Sequence, residues 1–281
     1  MADATVYLAL GANLGDRVGN IHATLNALRE YVAIEETSFL YETAPRYISD
    51  QPEYLNATCR VRTQLSPQEL LDAIETIMAA LGRQRSIRYG PRVIDIDILF
   101  YDEQQVTTPN LTIPHPLLAE RDFVLRPLCD IAADLRHPIL GMTMRDLLQR
   151  LGTDPLRQVM PIGDQLWTWG ERTFIMGILN ITPDSFSGDG LGEAGLASRS
   201  KAVAHAEQLV EAGADCLDIG GHSTRPGHEL LPVSQEIDRI APVIETLAKA
   251  DMVPLSVDTF RSQVARAAIE AGAHAINDVW G

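Results

Sequence analysis

Between residues 94 and 98 the chain alternates: Ile94, Ile96 and Ile98 are apolar, Asp95 and Asp97 charged. A period of two marks a strand with one buried face. Both carboxylates therefore project from one side, roughly 7 Å apart along the backbone. A helical period lies upstream. Ser66-Pro67-Gln68-Glu69 is a capping box with proline in the first turn. Leu70, Leu71, Ile74, Ile77, Met78 and Leu81 follow at helical spacing, and Gly82 stops the helix. Residues 6–10 read as a strand, Gly11-Ala-Asn-Leu-Gly-Asp16 as a polar turn, and 20–31 as a helix. Strand-like stretches follow near 34–42 and 57–65. Beyond the Asp95 strand a loop is expected through Pro109, Pro114-His115-Pro116 and Arg121. This order predicts an α+β sandwich on an antiparallel sheet.

The pattern changes after Gly152-Thr-Asp-Pro-Leu156. Strands are expected at 174–180, 216–221, 254–259 and 275–279, with helices near 198–212, 235–249 and 262–271. Glu211-Ala-Gly-Ala and Glu270-Ala-Gly-Ala each precede a strand, a weak internal repeat. Alternating β/α units predict a parallel sheet or barrel. Asn180, Asp258, Asn277 and Asp278 gather where these strands end, which is the catalytic rim of a (β/α)₈ barrel. The expected organisation is a first domain over 1–155, a linker over 156–171 and a second domain over 172–281.

Composition narrows the function. The 281 residues suffice for two domains, and 46% hydrophobic with 22% charged is globular usage. A net charge of −15 argues against nucleic acid or an anionic membrane as partner. The three cysteines (Cys59, Cys129, Cys216) are scattered, which suggests reduced thiols and a cytoplasmic setting. No signal peptide or apolar span is visible.

Against that acidic background Arg83, Arg85, Arg88 and Arg92 form a local basic cluster just before Asp95 and Asp97. Two carboxylates are hard oxygen ligands for Mg²⁺, and guanidinium forks match phosphate oxygens. An amphipathic strand with a solvated acidic face would share the D-x-D pattern. The Gly90-Pro91-Arg92 turn and the arginines favour a polyphosphate held through metal.

Residues 1–150 resemble the 6-hydroxymethyl-7,8-dihydropterin pyrophosphokinase family. The likeness runs through Ala9-Leu-Gly-Ala-Asn-Leu-Gly15, Tyr41-Glu-Thr43, Gln51-Pro-Glu-Tyr-Leu-Asn-Ala57, Leu81-Gly-Arg-Gln-Arg85, residues 88–99, Pro114-His-Pro and Glu120-Arg-Asp-Phe-Val-Leu125. It implies a ferredoxin-like α+β fold and pyrophosphate transfer from ATP to the pterin hydroxymethyl group, releasing AMP. By that likeness Asp95 and Asp97 would hold two Mg²⁺ ions. Arg83, Arg85, Tyr89, Arg92, Ile98, His115 and Arg121 would bind ATP, with Arg83, Arg92 and His115 also catalytic. Tyr54 and Phe123 would stack on the pterin while Thr43 and Asn56 read its edge. Met78 stands where the family often has glutamate, and Tyr89 where it often has tryptophan.

Residues from about 172 resemble the first half of dihydropteroate synthase. Met176-Gly-Ile-Leu-Asn-Ile-Thr-Pro-Asp-Ser-Phe-Ser187, Gly220-Gly-His-Ser-Thr-Arg-Pro-Gly227, Ser256-Val-Asp-Thr259 and Ile276-Asn-Asp278 carry the likeness. It implies the first half of a TIM-type (β/α)₈ barrel. Asn180 would meet a third Mg²⁺ and the diphosphate, Thr224 and Arg225 would grip diphosphate and p-aminobenzoate, and Asp258 and Asn277 would bind pterin. His222 stands where that family usually has glutamate. The given sequence ends at Gly281, after the fourth of eight expected strands, so the expectation is pterin diphosphate formation without dihydropteroate formation. Exposed sheet edges would favour an oligomer through the barrel half. Two alternatives are a pyrophosphokinase with a non-catalytic assembly or pterin-binding segment, and a nucleotide-binding regulator without turnover.

Overall fold

Strand β1 (Ala4–Ala12) forms the spine of the first unit because both its edges are paired. The computed structural model describes residues 3–46, 48, 50–83, 90–181, 196–222 and 231–279. The chain separates into two compact units, Met1–Met160 and Pro161–Gly281.

In the first unit β1 leads through α1 (Arg17–Leu28) to β2 (Ala33–Thr37), β3 (Leu40–Thr43) and β4 (Tyr54–Thr63). Helix α2 (Pro67–Ala80) then precedes β5 (Asp95–Tyr101). The short pair β6 (Val106–Thr107) and β7 (Thr112–Ile113) follows, then α3 (Asp122–Ala132), α4 (Met144–Leu151) and β8 (Arg157–Ile162). The sheet order is β5-β1-β4-β3-β8, with β2 also pairing β4, and β1, β3, β4 and β5 pair antiparallel. Val6, Leu8 and Leu10 are buried, α1 packs against β1, and α2 packs against α1 and β5. The alternate residues Tyr7 and Ala9 pack with α3 and α4 through Val124, Leu125, Leu128 and Leu147.

Most local expectations hold. The Ser66 hydroxyl accepts from the Glu69 N–H while the Glu69 carboxylate accepts from the Ser66 N–H, a complete capping box. The stretch near 34–42 is two strands, broken at residues 38–39. Helices α3 and α4 lie beyond the expected loop, in a stretch where no element was expected; Pro127 inside α3 obscured its helical pattern, while Thr143 caps α4. Residues 157–168, expected as linker, form β8 and the hairpin partner β9 (Gln165–Thr168), with Leu40, Tyr41 and Glu42 of β3 pairing Val159, Gln158 and Arg157. Proline, charge and turn residues made this hairpin read as a connector.

The second unit contains a parallel sheet, β10 (Met176–Asn180), β11 (Cys216–Gly220), β12 (Leu255–Asp258) and β13 (Ala275–Asn277), in sequential order. Helices α5 (Leu196–Glu211), α6 (Val233–Ala250) and α7 (Ser262–Glu270) connect them. The Glu-Ala-Gly-Ala repeat now has a cause. Gly213 and Gly272 take φ of 102° and 110° after α5 and α7, and Ala214 and Ala273 are buried as the chain turns into the next strand.

Candidate active site

The first site lies on the face of the sheet carrying Ala9 and Gly11. Asp95 pairs across the ladder with Gly11, and Asp97 with Ala9. On the other edge of β1, Gly11 pairs with Asn56 of β4. A cleft of about 250 Å³ opens above this row. Small residues on the central strand leave its floor low: a Cβ at Gly11 would sit 3.3 Å from Asn56 Oδ1.

One wall is built from charge. Asp95 and Asp97 are partly exposed, whereas Ile96 and Ile98 between and beyond them are buried. Arg83 Nη2 lies 3.0 Å from Asp95 Oδ1, and the Arg92 guanidinium contacts Asp95 Oδ2. Burial holds both carboxyls above the usual carboxylate range; the charge of Asp97 adds to this at Asp95. Arg121, Arg92 and Arg83 pull Asp97 the other way. A divalent cation would relieve the same strain, so these residues fit a metal site.

His115 faces this wall, its Nε2 3.9 Å from Asp97 Oδ2. Burial, with the nearby Arg121 charge, pushes the imidazole down to about 4, so at neutral pH it is uncharged. Its Nδ1 accepts the Leu117 N–H at 3.2 Å, which leaves the ring proton on Nε2, facing the cleft. Arg121 also lines the cleft, and its Nε is buried without a hydrogen-bond partner.

The opposite wall is apolar and aromatic. Tyr54 and Phe123 both line it, on β4 and α3. Tyr54 Oη donates to the Gly90 carbonyl at 3.2 Å, and burial pushes its phenol up. Arg121 stands 5.6 Å from the Phe123 ring centre. Asn56 Nδ2 donates to Thr43 Oγ1 at 2.8 Å, fixing the amide so that its carbonyl oxygen faces Gly11.

The second unit presents a similar row. Asn180, Gly220, Asp258 and Asn277 are successive register partners at the C-terminal ends of β10 to β13. A Cβ at Gly220 would meet Asn180 Oδ1 at 2.8 Å and Asp258 Oδ2 at 3.8 Å. Burial, then the charges of Asp218, Glu236 and Asp278, push the Asp258 carboxyl up, while His222 opposes them. Asn277 Nδ2 donates to Asp218 Oδ2 at 2.9 Å.

Comparison with known proteins finds a family match in each half of the chain. Residues 7–133 match the family model for 7,8-dihydro-6-hydroxymethylpterin-pyrophosphokinase (HPPK), and residues 176–281 match that for pterin binding enzyme. The chain carries an HPPK domain and a pterin-binding domain in tandem. The folate synthesis bifunctional protein of Chlamydia trachomatis is 36% identical over 98% of this chain and 63% of its own length. The mitochondrial folate synthesis bifunctional protein of Arabidopsis thaliana is 41% identical, over 98% and 52% respectively. A folic acid synthesis protein of Dictyostelium discoideum is 41% identical, over 98% and 44%. The chain thus spans about half the length of these relatives. A crystal structure of Plasmodium falciparum HPPK-DHPS with pteroate shares the fold, with TM-score 0.78, 20% identity and coverage of 99% of this chain and 68% of that one.

Within the HPPK domain the structure brings together Thr43, Tyr54, Asn56, Arg92, Asp95, Asp97, His115, Arg121 and Phe123 around one cleft, with Arg83 reaching Asp95. Ile98 is the exception: it is 5% exposed, on the face of β5 opposite the carboxylates, and does not line the cleft. The strand alternation that exposes Asp95 and Asp97 turns Ile98 inward. Arg85, Tyr89, Thr224 and Arg225 lie outside the described residues. The expected loss of the second activity is not supported, since the pterin-binding model is matched through residue 281.

Three residues of this neighbourhood escaped the sequence reading. Arg46 and Gln51 line the cleft, and Arg46 Nη1 donates to the Glu120 carbonyl at 2.5 Å. Asn13, 1% exposed, lies behind Arg92. Its Gly-Ala-Asn-Leu-Gly context carries a turn signal, and only burial distinguishes it from a turn asparagine. No helix among the described residues is long and apolar enough to cross a membrane.

Proposed function

We propose that the first unit transfers pyrophosphate from ATP to 6-hydroxymethyl-7,8-dihydropterin, yielding the pterin diphosphate and AMP, as part of folate synthesis. The pterin-binding domain is then the site of condensation with p-aminobenzoate to dihydropteroate. The finer folds that go with this reading are a ferredoxin-like first unit and the opening four β/α units of a (β/α)₈ barrel. Domain limits near 1–155 and 172–281 suit it, with the hairpin between them partly serving the first sheet.

The single observation that carries the reading is the row Asp95, Gly11, Asn56. Two strand spacings, roughly 10 Å, separate a metal-type carboxylate from an amide suited to a pterin edge. A hydroxymethyl group on a ring bound at Asn56 would reach towards Asp95 over Gly11. Tyr54 and Phe123 supply π-faces for the flat heterocycle.

Asp95 and Asp97 would hold two Mg²⁺ ions, which supply charge neutralisation for the polyphosphate. The protein's own part is orientation. Arg92 and Arg83 clamp phosphate oxygens while holding Asp95, and Arg121 adds a third guanidinium. Neutral His115 offers its Nε2–H to a phosphate oxygen. The pterin hydroxyl oxygen attacks the β-phosphorus, the bond to the α-phosphate oxygen breaks, AMP departs and the hydroxyl proton passes to solvent. Asn180, Asp258 and Asn277 would bind the diphosphate and pterin in the second domain, Asn180 beside one Mg²⁺.

The test is AMP release from ATP, Mg²⁺ and the pterin, followed by dihydropteroate formation when p-aminobenzoate is added. AMP without pterin consumption, or no AMP, overturns the first part. A stall at the pterin diphosphate overturns the second for this chain.

A further inference from the structure

Asn13 follows β1 directly and is 1% exposed. Its side chain uses all its ordinary hydrogen-bonding groups on two separate segments. Oδ1 accepts the Arg92 backbone N–H at 2.7 Å. Nδ2 donates to the Pro52 carbonyl at 3.1 Å and to Gln51 Oε1 at 3.3 Å. The main chain adds a return bond, Asn13 N–H to the Arg92 carbonyl at 3.0 Å, joined there by the Leu14 N–H at 3.2 Å. Gln51 is itself oriented, since its Nε2 donates to the Ile48 carbonyl at 2.9 Å.

Each segment leads to one half of the cleft. Arg92 holds Asp95 through its guanidinium, and Pro52 stands two residues before Tyr54. The two segments are linked a second time where Tyr54 Oη donates to the Gly90 carbonyl. We infer that Asn13 is a positioning residue for pyrophosphoryl transfer, one that locks the backbone of Arg92 to the Gln51–Pro52 segment so that the phosphate and pterin walls keep a fixed separation. This rests on the pyrophosphokinase reading of the same cleft. Asn13 does not line the cleft and acts only through Arg92 and the Tyr54 wall.

Asparagine suits the task for a chemical reason. One buried amide presents an acceptor to an N–H and two donors to carbonyl oxygens, and no other side chain of that length does both. Aspartate keeps the acceptor for Arg92 but turns a carboxylate oxygen on the Pro52 carbonyl. Alanine loses both sides. Misplacing a phosphate-clamping arginine by a fraction of an ångström slows reaction more than it weakens binding.

The experiment uses the full chain with Asn13→Ala, Asn13→Asp and Asn13→Ser, each alone and with Arg92→Ala. Amide hydrogen exchange at Arg92, single-turnover transfer and ATP affinity are measured. The expected result is faster exchange at the Arg92 amide in Asn13→Ala. Transfer should fall by roughly tenfold or more with ATP affinity little changed. In the Arg92→Ala background the Asn13 effect on transfer should largely vanish, because the two act as a unit. Equal losses in both backgrounds, or unchanged Arg92 exchange, would overturn the inference. If Asn13→Ala does not fold, Asn13→Ser and Asn13→Asp give the same comparison. A wild-type chain without transfer activity would instead refute the pyrophosphokinase reading, while the exchange measurement would still report whether Asn13 holds Arg92.

Discussion

Asp95 and Asn56 are both register partners of Gly11, one from each edge of β1, so the sheet sets a carboxylate and an amide two strands apart with no side chain between them. The second unit repeats the device with Gly220, which lies between Asn180 and Asp258. In each case a glycine on an inner strand keeps the floor open between polar groups.

Gly11→Ala should therefore weaken pterin binding selectively. The new Cβ would press on Asn56 Oδ1 at 3.3 Å, and the amide, held by Thr43, has little freedom to withdraw. We expect a rise of roughly tenfold in the pterin KM, about 1.4 kcal/mol, with ATP affinity unchanged. Gly11→Val should abolish turnover. Steady-state kinetics with each substrate varied in turn check both; equal weakening of ATP and pterin would contradict the assignment.

Replacing Asp97 by asparagine should separate stability from activity. Its carboxyl is held above the usual range chiefly by burial, so the charged form is disfavoured in the folded cleft. Asp97→Asn should leave the metal-free protein as stable as wild type or more so, yet reduce transfer by roughly 10³-fold or more. Wild type should gain thermal stability with added Mg²⁺, and Asp95→Ala should lose that gain. A full Mg²⁺ shift in Asp95→Ala would remove the carboxylates from the metal site.

Arg92→Lys should not restore what Arg92→Ala loses. The guanidinium holds Asp95 and in the proposed role would present further N–H groups to phosphate, whereas an ammonium is a point charge that does one of these at a time. A loss of roughly 10²-fold in kcat is expected, from steady-state AMP release. Near-normal turnover in the lysine variant would show that charge alone suffices.

His115 makes a pH prediction. The imidazole titrates near 6.5 when free and about 4 here, so between those values the unfolded chain binds a proton that the folded protein does not. Its contribution is fully present above about 6.5, falls as the pH drops, and levels off below about 4, a loss of at most about 3 kcal/mol. Asp95 and Asp97, held high, act in the opposite sense, so the comparison must be made against His115→Gln. Urea unfolding at pH 7.5 and 4.5 should show a smaller acid loss in His115→Gln than in wild type. Identical losses would mean that the imidazole is protonated in the folded state.

The sequence alone determined what depends on neighbours along the chain. The Ile–Asp alternation set both carboxylates on one face of β5, Ser66 and Glu69 began α2, and the repeated Glu-Ala-Gly-Ala marked two turns into parallel strands. Strand and helix periods, and caps, are local consequences of backbone geometry, so they survive in the bare order of residues. Ordered motifs likewise carried the family. Tertiary structure alone decided the ladder register that puts Gly11 between Asp95 and Asn56, partners 84 and 45 positions away. It decided that Asn13 is a buried tie to Arg92, that burial pushes the His115 imidazole down, and that residues 157–162 and 165–168 are strands. Each of these follows from burial and from hydrogen bonds between distant segments, and no local pattern encodes how much water a packed neighbour removes.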